Sequence, residues 1–278
     1  HRLLPMIMVF AGRVDLNSVT SPTQKVWAGE GVTPVVLVHT DWTWSDTDKY
    51  LGIKGGKARS SHAHMDAGSF VYDAYGVRWS MDIGRQDYAT LEVALKALGG
   101  NLWTYTQASL RWEVSRLNNF FHSTLTVNDA KHRVEGFATL EQTINTATEQ
   151  GGTFDLSPVL EDQVASAMRT VKIVNDKDLK VIDAIRTRTD RSAKIRWTMV
   201  TPAAPAVEND RIVLTSNGKT MYLTAAEEGG TQIVYKTFST DPVHSYDDPN
   251  PGIYLVGFEA TVPADKWATF TTTLSPGN

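Results

Sequence analysis

Apolar runs of about strand length dominate the chain from residue 139 onward, and most alternate with polar positions. Period-two alternation is typical of half-buried β-strands. Turn-forming sequences such as NDKD, SNGK and DDPNPG separate the runs. The pattern predicts strands near 139–147, 165–175, 179–187, 194–201, 211–215, 219–225, 231–238, 253–260 and 268–274. Many short strands with little helix predict a β-sandwich.

The first half of the chain adds strands and one helix. PVVLVH (34–39) predicts a buried strand, and DAYG (73–76) between SFVY and VRWSMDI predicts a hairpin. FFHSTLTV (120–127) also reads as a strand, whereas GIKGGK (52–57) reads as a turn that lacks the spacing of a phosphate-binding loop. Apolar residues recur at helical spacing over 88–98, where Gly99 and Gly100 follow, so we expect a short helix.

These elements predict an all-β chain: one large antiparallel β-sandwich of two sheets with a single short helix. We assign residues 33–278 to the sandwich and residues 1–32 to an N-terminal attachment segment. The chain begins with His1 and carries no signal-peptide pattern there, so we expect a fragment or a processed product.

Composition narrows the function classes. The chain has 278 residues, 41% hydrophobic and 21% charged, which is ordinary for a globular protein. Its net charge of −4 gives no general attraction for polyanions, so we expect no nucleic-acid partner. No apolar run approaches the ~18 residues of a membrane span. There are no cysteines, which excludes disulfides and thiolate metal sites.

Residues 60–84 (SSHAHMDAGSFVYDAYGVRWSMDIG) concentrate the candidate chemistry. If HAH forms a strand, His62 and His64 share one face, and the hairpin that follows brings Asp82 back towards His64. Two imidazoles and a carboxylate form a plausible metal site. The alternative is a set of buried, hydrogen-bonded core histidines.

Other residues can extend this group. His122 with His64 and Asp82 would suit zinc, or His122 is a buried histidine bonded to a backbone carbonyl. His62 is either a fourth ligand or a general acid or base. Asp66 either orients an imidazole or caps a strand.

Charged and aromatic residues nearby suggest a binding surface. Arg59, with Lys54 and Lys57, could form a basic rim for an anionic substrate, although each could equally be a solvated loop charge. Three tryptophans could stack on sugar rings or fill the core: Trp42, Trp44 and Trp79. His39 and His244 have no such group around them, and His132 follows the His122 strand in the turn-like sequence NDAKHRVEG.

The sequence HAHMDAGSFVYDAYGVRWSMDIGRQDY, followed by FFHSTLTVND, resembles the C-terminal domain of the heparinase II/III-like polysaccharide lyases. The resemblance extends over roughly residues 33–275. It implies a structural zinc ion held by His64, Asp82 and His122. It also implies that His62 faces the substrate cleft as a catalytic residue, with Tyr88 and Arg59 as candidate substrate-binding residues. Ser123 stands where the family has asparagine, which weakens any role carried by that asparagine.

The resemblance further implies β-elimination on an acidic polysaccharide containing uronic acid, such as heparin or heparan sulfate, in a periplasmic or secreted enzyme without a membrane partner. The family's N-terminal (α/α) toroid is absent from this chain, so we expect it in the same longer protein or in a companion chain. Three alternatives stay open: a non-catalytic carbohydrate-binding domain, a lyase for alginate or another uronate polymer, and a cupin-like iron enzyme.

Overall fold

The computed structural model describes residues 3–43 and 45–277. Within them, 17 strands form three antiparallel sheets of five, eight and four strands, with two α-helices. The all-β antiparallel prediction is confirmed. Hydrogen bonding divides the strands into three sheets instead of the two expected. None of the described sheets closes into a barrel, so the cupin-like alternative is wrong. No helix among these residues has the length and apolar character to cross a membrane.

The five-stranded sheet comes before helix α2 (Tyr88–Ala97) in the chain and has the order β1-β2-β3-β4-β5. Its strands are β1 (Val26–Gly29), β2 (Val35–His39), β3 (Tyr50–Lys54), β4 (Phe70–Ala74) and β5 (Val77–Ser80). Tyr75 and Gly76 join β4 to β5 with φ of 56° and 69°. Positive φ at both positions is the mirror-image turn that matches strand twist, so the DAYG hairpin is confirmed.

The eight-stranded sheet has the order β12-β13-β14-β17-β10-β9-β8-β7. Its strands are β7 (Thr139–Asn145), β8 (Glu149–Asp155), β9 (Ser166–Val174), β10 (Asp178–Arg186), β12 (Ala204–Val207), β13 (Ile212–Ser216), β14 (Lys219–Glu227) and β17 (Trp267–Pro276). Burial alternates residue by residue along β9 and β10, as their period-two patterns predict.

The four-stranded sheet has the order β15-β16-β11-β6. Its strands are β6 (Leu125–Val127), β11 (Ala193–Thr201), β15 (Val234–Phe238) and β16 (Tyr254–Val262). One apolar cluster draws on all three sheets and includes Trp79, Trp197 and Phe154, all fully buried. Trp79 is therefore a core residue and does not stack on a ligand.

Two helices flank the sheets. Helix α2 (Tyr88–Ala97) confirms the predicted helix: Asp87 caps it by accepting from the Thr90 N–H, and Leu91 and Leu95 are buried beneath it. Helix α1 (Leu4–Ala11) lies in the segment 1–32 and buries none of its residues. Strand β1 also lies in that segment and pairs with β2. The division at residue 33 stays a prediction.

Several local predictions were wrong. Residues 61–69, including HAH, form turns and irregular backbone, and of FFHSTLTV only Leu125–Val127 is a strand. GIKGGK was read as a turn, but it contributes the end of β3, and Gly56 forms an isolated antiparallel bridge with Ala138. Strands β1, β3, β8 and β12 were missed. Of these, β8 contains Gly151 and Gly152, where added side chains would overlap the Val171 carbonyl and Val36. Its glycines, which usually disfavour strands, are required by close packing.

Candidate functional site

The candidate residues lie on three irregular segments beside the paired ends of β4 and β5. One segment precedes β4 (62–69), one follows β5 (81–84) and one precedes β6 (118–124). The Thr124 hydroxyl donates to the Ala67 carbonyl at 2.6 Å, which ties the first segment to the third. The Ser123 hydroxyl accepts the Val200 N–H at 3.0 Å. Ser123 therefore anchors its segment to β11.

His122 and Asp82 form the closest pair in this group. His122 Nδ1 lies 2.7 Å from Asp82 Oδ2, while Nε2 donates to the Arg116 carbonyl at 3.1 Å. The His122 side chain is completely buried, and that of Asp82 is 36% exposed. The carbonyl orients the ring, because it can only accept and so keeps a proton on Nε2.

His64 and Asp66 complete the group, which we call the His64 cluster (His64, Asp66, Asp82 and His122). The ring centroids of His64 and His122 are 5.5 Å apart. One ligand atom from each of His64, Asp66 and His122 lies within 4.8 Å of the other two. Asp66 Oδ1 also accepts from Lys54 Nζ at 2.6 Å, so Lys54 contacts this cluster instead of the predicted basic rim.

The surroundings of His64, Asp82 and His122 shift the pKa values of these three residues in different directions. Burial, together with the nearby His122, lowers the pKa of His64 to about 4, so its imidazole is neutral at pH 7. Burial alone would raise the pKa of Asp82, but His122 and the Gly84 N–H hold it well below its ordinary value. Burial likewise opposes the charged form of His122, yet Asp82 raises the His122 pKa overall.

This donor set fits a zinc ion. A neutral imidazole and a carboxylate are preferred zinc donors, and His122 keeps Nδ1 towards Asp82 while its other nitrogen is held by a carbonyl. Among the described residues, no hydrogen bond reaches a ring nitrogen of His64, although this ring is mostly buried. An unsatisfied imidazole beside a second imidazole and two carboxylates is what a metal site would contain.

The His62 side chain is exposed and lies among aromatic residues. Its backbone φ is 63°, and its ring stacks on Tyr88 at 5.4 Å between centroids and 12° between planes. The Trp103 ring centroid lies 5.2 Å from that of His62, with the two rings nearly perpendicular. The His62 N–H donates to the Tyr105 hydroxyl at 3.2 Å. We call His62, Tyr88, Trp103 and Tyr105 the aromatic shelf.

A cavity of about 470 Å³ adjoins the shelf. Arg59, Trp103, Tyr105 and Glu135 contribute to its lining, and Arg59 forms an ion pair with Glu135. Trp103 is 40% exposed at this surface. The structure thus brings Arg59, His62 and Tyr88 to one region, as their predicted roles require. Those roles stay predictions.

A family model described as "Heparinase II/III-like, C-terminal" matches residues 35–264. This chain belongs to that family. Among curated proteins, no match was found.

Solved structures of related domains share the fold of this heparinase II/III-like chain. HepC, a heparan sulfate lyase from Pedobacter heparinus, is 14% identical with a TM-score of 0.70, and the match covers 100% of this chain and 41% of HepC. A heparinase III with methylated lysines is 14% identical with a TM-score of 0.67 and coverage of 99% and 39%. Another heparinase III is 13% identical with a TM-score of 0.64 and coverage of 93% and 38%. The chain spans about two fifths of the length of these proteins.

The other histidines that the structure describes in this heparinase II/III-like chain have structural contacts. His132 is buried and donates from Nε2 to the Leu125 carbonyl at 2.8 Å. His39 Nδ1 lies 2.9 Å from Asp48 Oδ2 in a separate buried group. His244 stacks on Tyr246.

Of the predicted sugar-stacking tryptophans, Trp42 lies apart from the shelf. Trp42 stacks on His39, and Trp44 lies outside the described residues. The sequence reasoning instead missed Trp103 and Tyr105, and the signal that could have found them is the aromatic sequence NLWTY (101–105) directly after α2.

Proposed function

We propose that this chain is the β-sandwich part of a polysaccharide lyase that cleaves a uronic-acid-containing glycosaminoglycan, of the heparin or heparan sulfate type, by β-elimination. The observation that carries the proposal is the presentation of His62 on an exposed aromatic shelf, two residues from His64, in a member of the heparinase II/III-like family.

β-Elimination removes the proton at C5 of a uronate, expels the 4-O-linked sugar and leaves a 4,5-unsaturated product. Neutralising the uronate carboxylate lowers the barrier to removing the neighbouring proton. In this proposal His62 transfers a proton, because an imidazole can both accept and donate one near neutral pH. Its exposed position leaves its ring accessible to a sugar.

Tyr88, Trp103 and Arg59 would contact the substrate. Aromatic faces stack on the C–H faces of sugars, and a guanidinium pairs with carboxylate or sulfate groups. Arg59 now pairs with the exposed Glu135, and such a surface pair is weak enough to exchange for a ligand anion.

Zinc would have a structural part here. His64, Asp82 and His122 would hold it, and the bound ion would pin the three segments that carry them. Because His62 is two residues from His64, fixing His64 restricts where His62 can lie.

The proposed companion is an N-terminal (α/α) toroid, in the same protein or in another chain. The shares of 38–41% that this chain covers in its structural neighbours support a larger assembly. We further propose a periplasmic or secreted location, where acidic polysaccharides are encountered.

The test is His62→Ala in the complete enzyme, toroid included. We expect product formation, followed by the absorbance of the unsaturated sugar, to fall by about 10²–10⁴-fold, the usual contribution of a positioned acid or base. His244→Ala removes a histidine outside the site and is expected to retain activity. Full activity of His62→Ala on heparin, heparan sulfate and alginate would refute the catalytic role, and the substrate panel also decides between these polymers.

A second candidate is a non-catalytic carbohydrate-binding domain, which the exposed Trp103 favours because such platforms bind sugars without chemistry. Polysaccharide binding that Trp103→Ala abolishes, without unsaturated product from the complete protein, would support this candidate over the lyase.

A further inference from the structure

Arg111 is a fully buried arginine beneath the aromatic shelf. It lies in a 3₁₀ helix (Leu110–Glu113) and has no exposed surface. Within the part of the chain that the structure describes, no carboxylate lies at ion-pair distance from it. A guanidinium stays charged in proteins, so this is a buried cation without a counterion.

The guanidinium is held in one orientation. Nη1 donates to the Leu102 carbonyl at 3.0 Å and Nη2 to the Ala63 carbonyl at 2.8 Å. Its central carbon lies 4.7 Å from the Tyr105 ring centroid, 5.2 Å from that of Trp112 and 6.0 Å from that of Tyr88. Arg111 therefore lies against the rings of Tyr88 and Tyr105 and bonds to backbone carbonyls next to the other two members of the shelf.

The Ala63 carbonyl belongs to the residue between His62 and His64. His62 has a φ of 63°, in the left-handed region that residues other than glycine rarely adopt. Such a conformation persists only where neighbouring contacts impose it. Arg111 fixes the peptide between Ala63 and His64, one residue beyond His62, and the Tyr105 hydroxyl accepts the His62 N–H on the other side.

We infer that Arg111 is a positioning residue for His62: it holds the Ala63 carbonyl and supports Tyr88 and Tyr105, so that the His62 ring stays stacked on the shelf. The catalytic consequence rests on the proposed function, but the positioning itself does not.

Packing alone does not account for Arg111. A methionine would fill a similar volume against the same rings without the cost of burying an unpaired charge. What methionine lacks is a charged donor to the carbonyls of Ala63 and Leu102, and charge-assisted hydrogen bonds are the stronger kind.

The direct test follows the His62 ring protons by NMR in the wild type, Arg111→Met and Arg111→Lys. The His62 ring stacks on Tyr88 and lies close to Trp103, so the ring currents of both should shift its proton resonances. In the wild type we therefore expect His62 chemical shifts that differ from those of free histidine. Arg111→Met should move these signals towards the free values, and Arg111→Lys, which keeps a charged donor, should recover part of the shift.

Arg211→Met is a control for the substitution itself, at a partly exposed arginine that pairs with Glu208. Arg211 also lies over an aromatic ring, with its central carbon 4.5 Å from the Tyr222 centroid, but it is remote from the shelf in sequence and contacts none of its residues. Its substitution should leave His62 unchanged. Unchanged His62 signals in folded Arg111→Met would overturn the inference.

A wild-type measurement covers the case in which the Arg111 variants do not fold. The Arg111 Nη protons should exchange slowly with solvent because they are buried and bonded to carbonyls. Fast exchange of these protons would also overturn the inference.

In the complete enzyme, misplacing His62 should lower kcat by up to about 10²-fold with a smaller change in KM, and Arg111→Lys should restore part of it. Unchanged kcat in a variant whose His62 signals have moved would overturn the catalytic consequence. A wild type that makes no unsaturated product would instead refute the proposed function, while the NMR result still decides the role of Arg111.

Discussion

The Nδ1 of His122 lies 2.7 Å from Asp82 Oδ2, and because the Arg116 carbonyl keeps one proton on Nε2, this hydrogen bond requires a second proton on Nδ1. Zinc held by these two residues would have to displace that proton, since metal and proton compete for the same donor atoms. Asp66 offers a second carboxylate close to both imidazoles. The ligand set therefore depends on which aspartate binds the ion.

Metal content measured on purified variants distinguishes the two aspartates. We expect about one zinc per wild-type chain, lost in His64→Ala and in Asp82→Asn. Asp66→Asn should keep the ion with affinity about 10–100-fold weaker, as is usual when a residue that orients a ligand is removed. His244→Ala should bind zinc like the wild type. Folded wild type without zinc would contradict the whole assignment.

His132 predicts a loss of stability in acid. Burial lowers its pKa to about 4, against the opposing hydrogen bond to the Leu125 carbonyl. The unfolded chain, with an ordinary histidine near 6.5, then binds the proton first, so stability falls as the pH drops from about 6.5 towards 4. The full effect is about 3 kcal/mol, at about 1.4 kcal/mol for each pKa unit.

Urea unfolding at pH 7 and pH 4.5 measures this dependence. His132→Gln, which can still donate to the Leu125 carbonyl, should show a smaller fall than the wild type between the two pH values. An equal fall in both proteins would mean that His132 does not contribute.

At the scale of elements, two hairpin turns of the same kind differ in their surroundings. Gly76 and Gly218 have φ of 69° and 71°. A methyl group at Gly76 would overlap the Asp46 carboxylate, whereas nothing lies within 4 Å at Gly218. Asp46 is itself held by Lys219 at 2.6 Å.

Alanine at each turn separates backbone strain from crowding. Gly218→Ala should cost about 1–2 kcal/mol of unfolding free energy, the price of left-handed backbone for an L-residue. Gly76→Ala should cost more, because Asp46 must also move. Equal shifts in the urea midpoint would show that Asp46 moves freely.

Local patterns predicted the elements whose burial follows their own period, such as β9, β10 and α2. They failed where tertiary contacts decide. HAH alternates like a strand, yet hydrogen bonds from Arg111 and to Tyr105 hold it in an irregular segment. These partners lie 48 and 43 positions away in the sequence, so a local pattern cannot predict their contacts. The predicted hairpin was enough to place Asp82 near His64. The position of His122 near both residues was expected only from the family resemblance.

For the molecule as a whole, one buried ion pair connects the large sheet to the candidate site. Arg169 on β9 pairs with Asp183 on β10 through two bonds of 2.7 and 3.0 Å, and neither side chain is exposed. Arg169 Nη1 also donates to the carbonyls of Gly68 and Ser123. The segments that carry Asp66 and His122 are thus fastened to the eight-stranded sheet.

Asp183→Ala should destabilise the protein by about 3–5 kcal/mol in chemical unfolding, because it leaves the Arg169 charge buried and unpaired. The control is Glu208→Ala, which breaks the exposed pair with Arg211 and should cost at most about 1 kcal/mol. Similar losses in both variants would argue against a special role for the buried pair.

Strand β17 has a consequence for biosynthesis. It lies between β14 and β10 in the interior of the eight-stranded sheet, although it is formed by residues 267–276. Before those residues leave the ribosome, β10-β9-β8-β7 and β12-β13-β14 are two separate pieces with unpaired inner edges. The sheet therefore closes only after translation of β17, and until then these edges are open to pairing with other nascent chains.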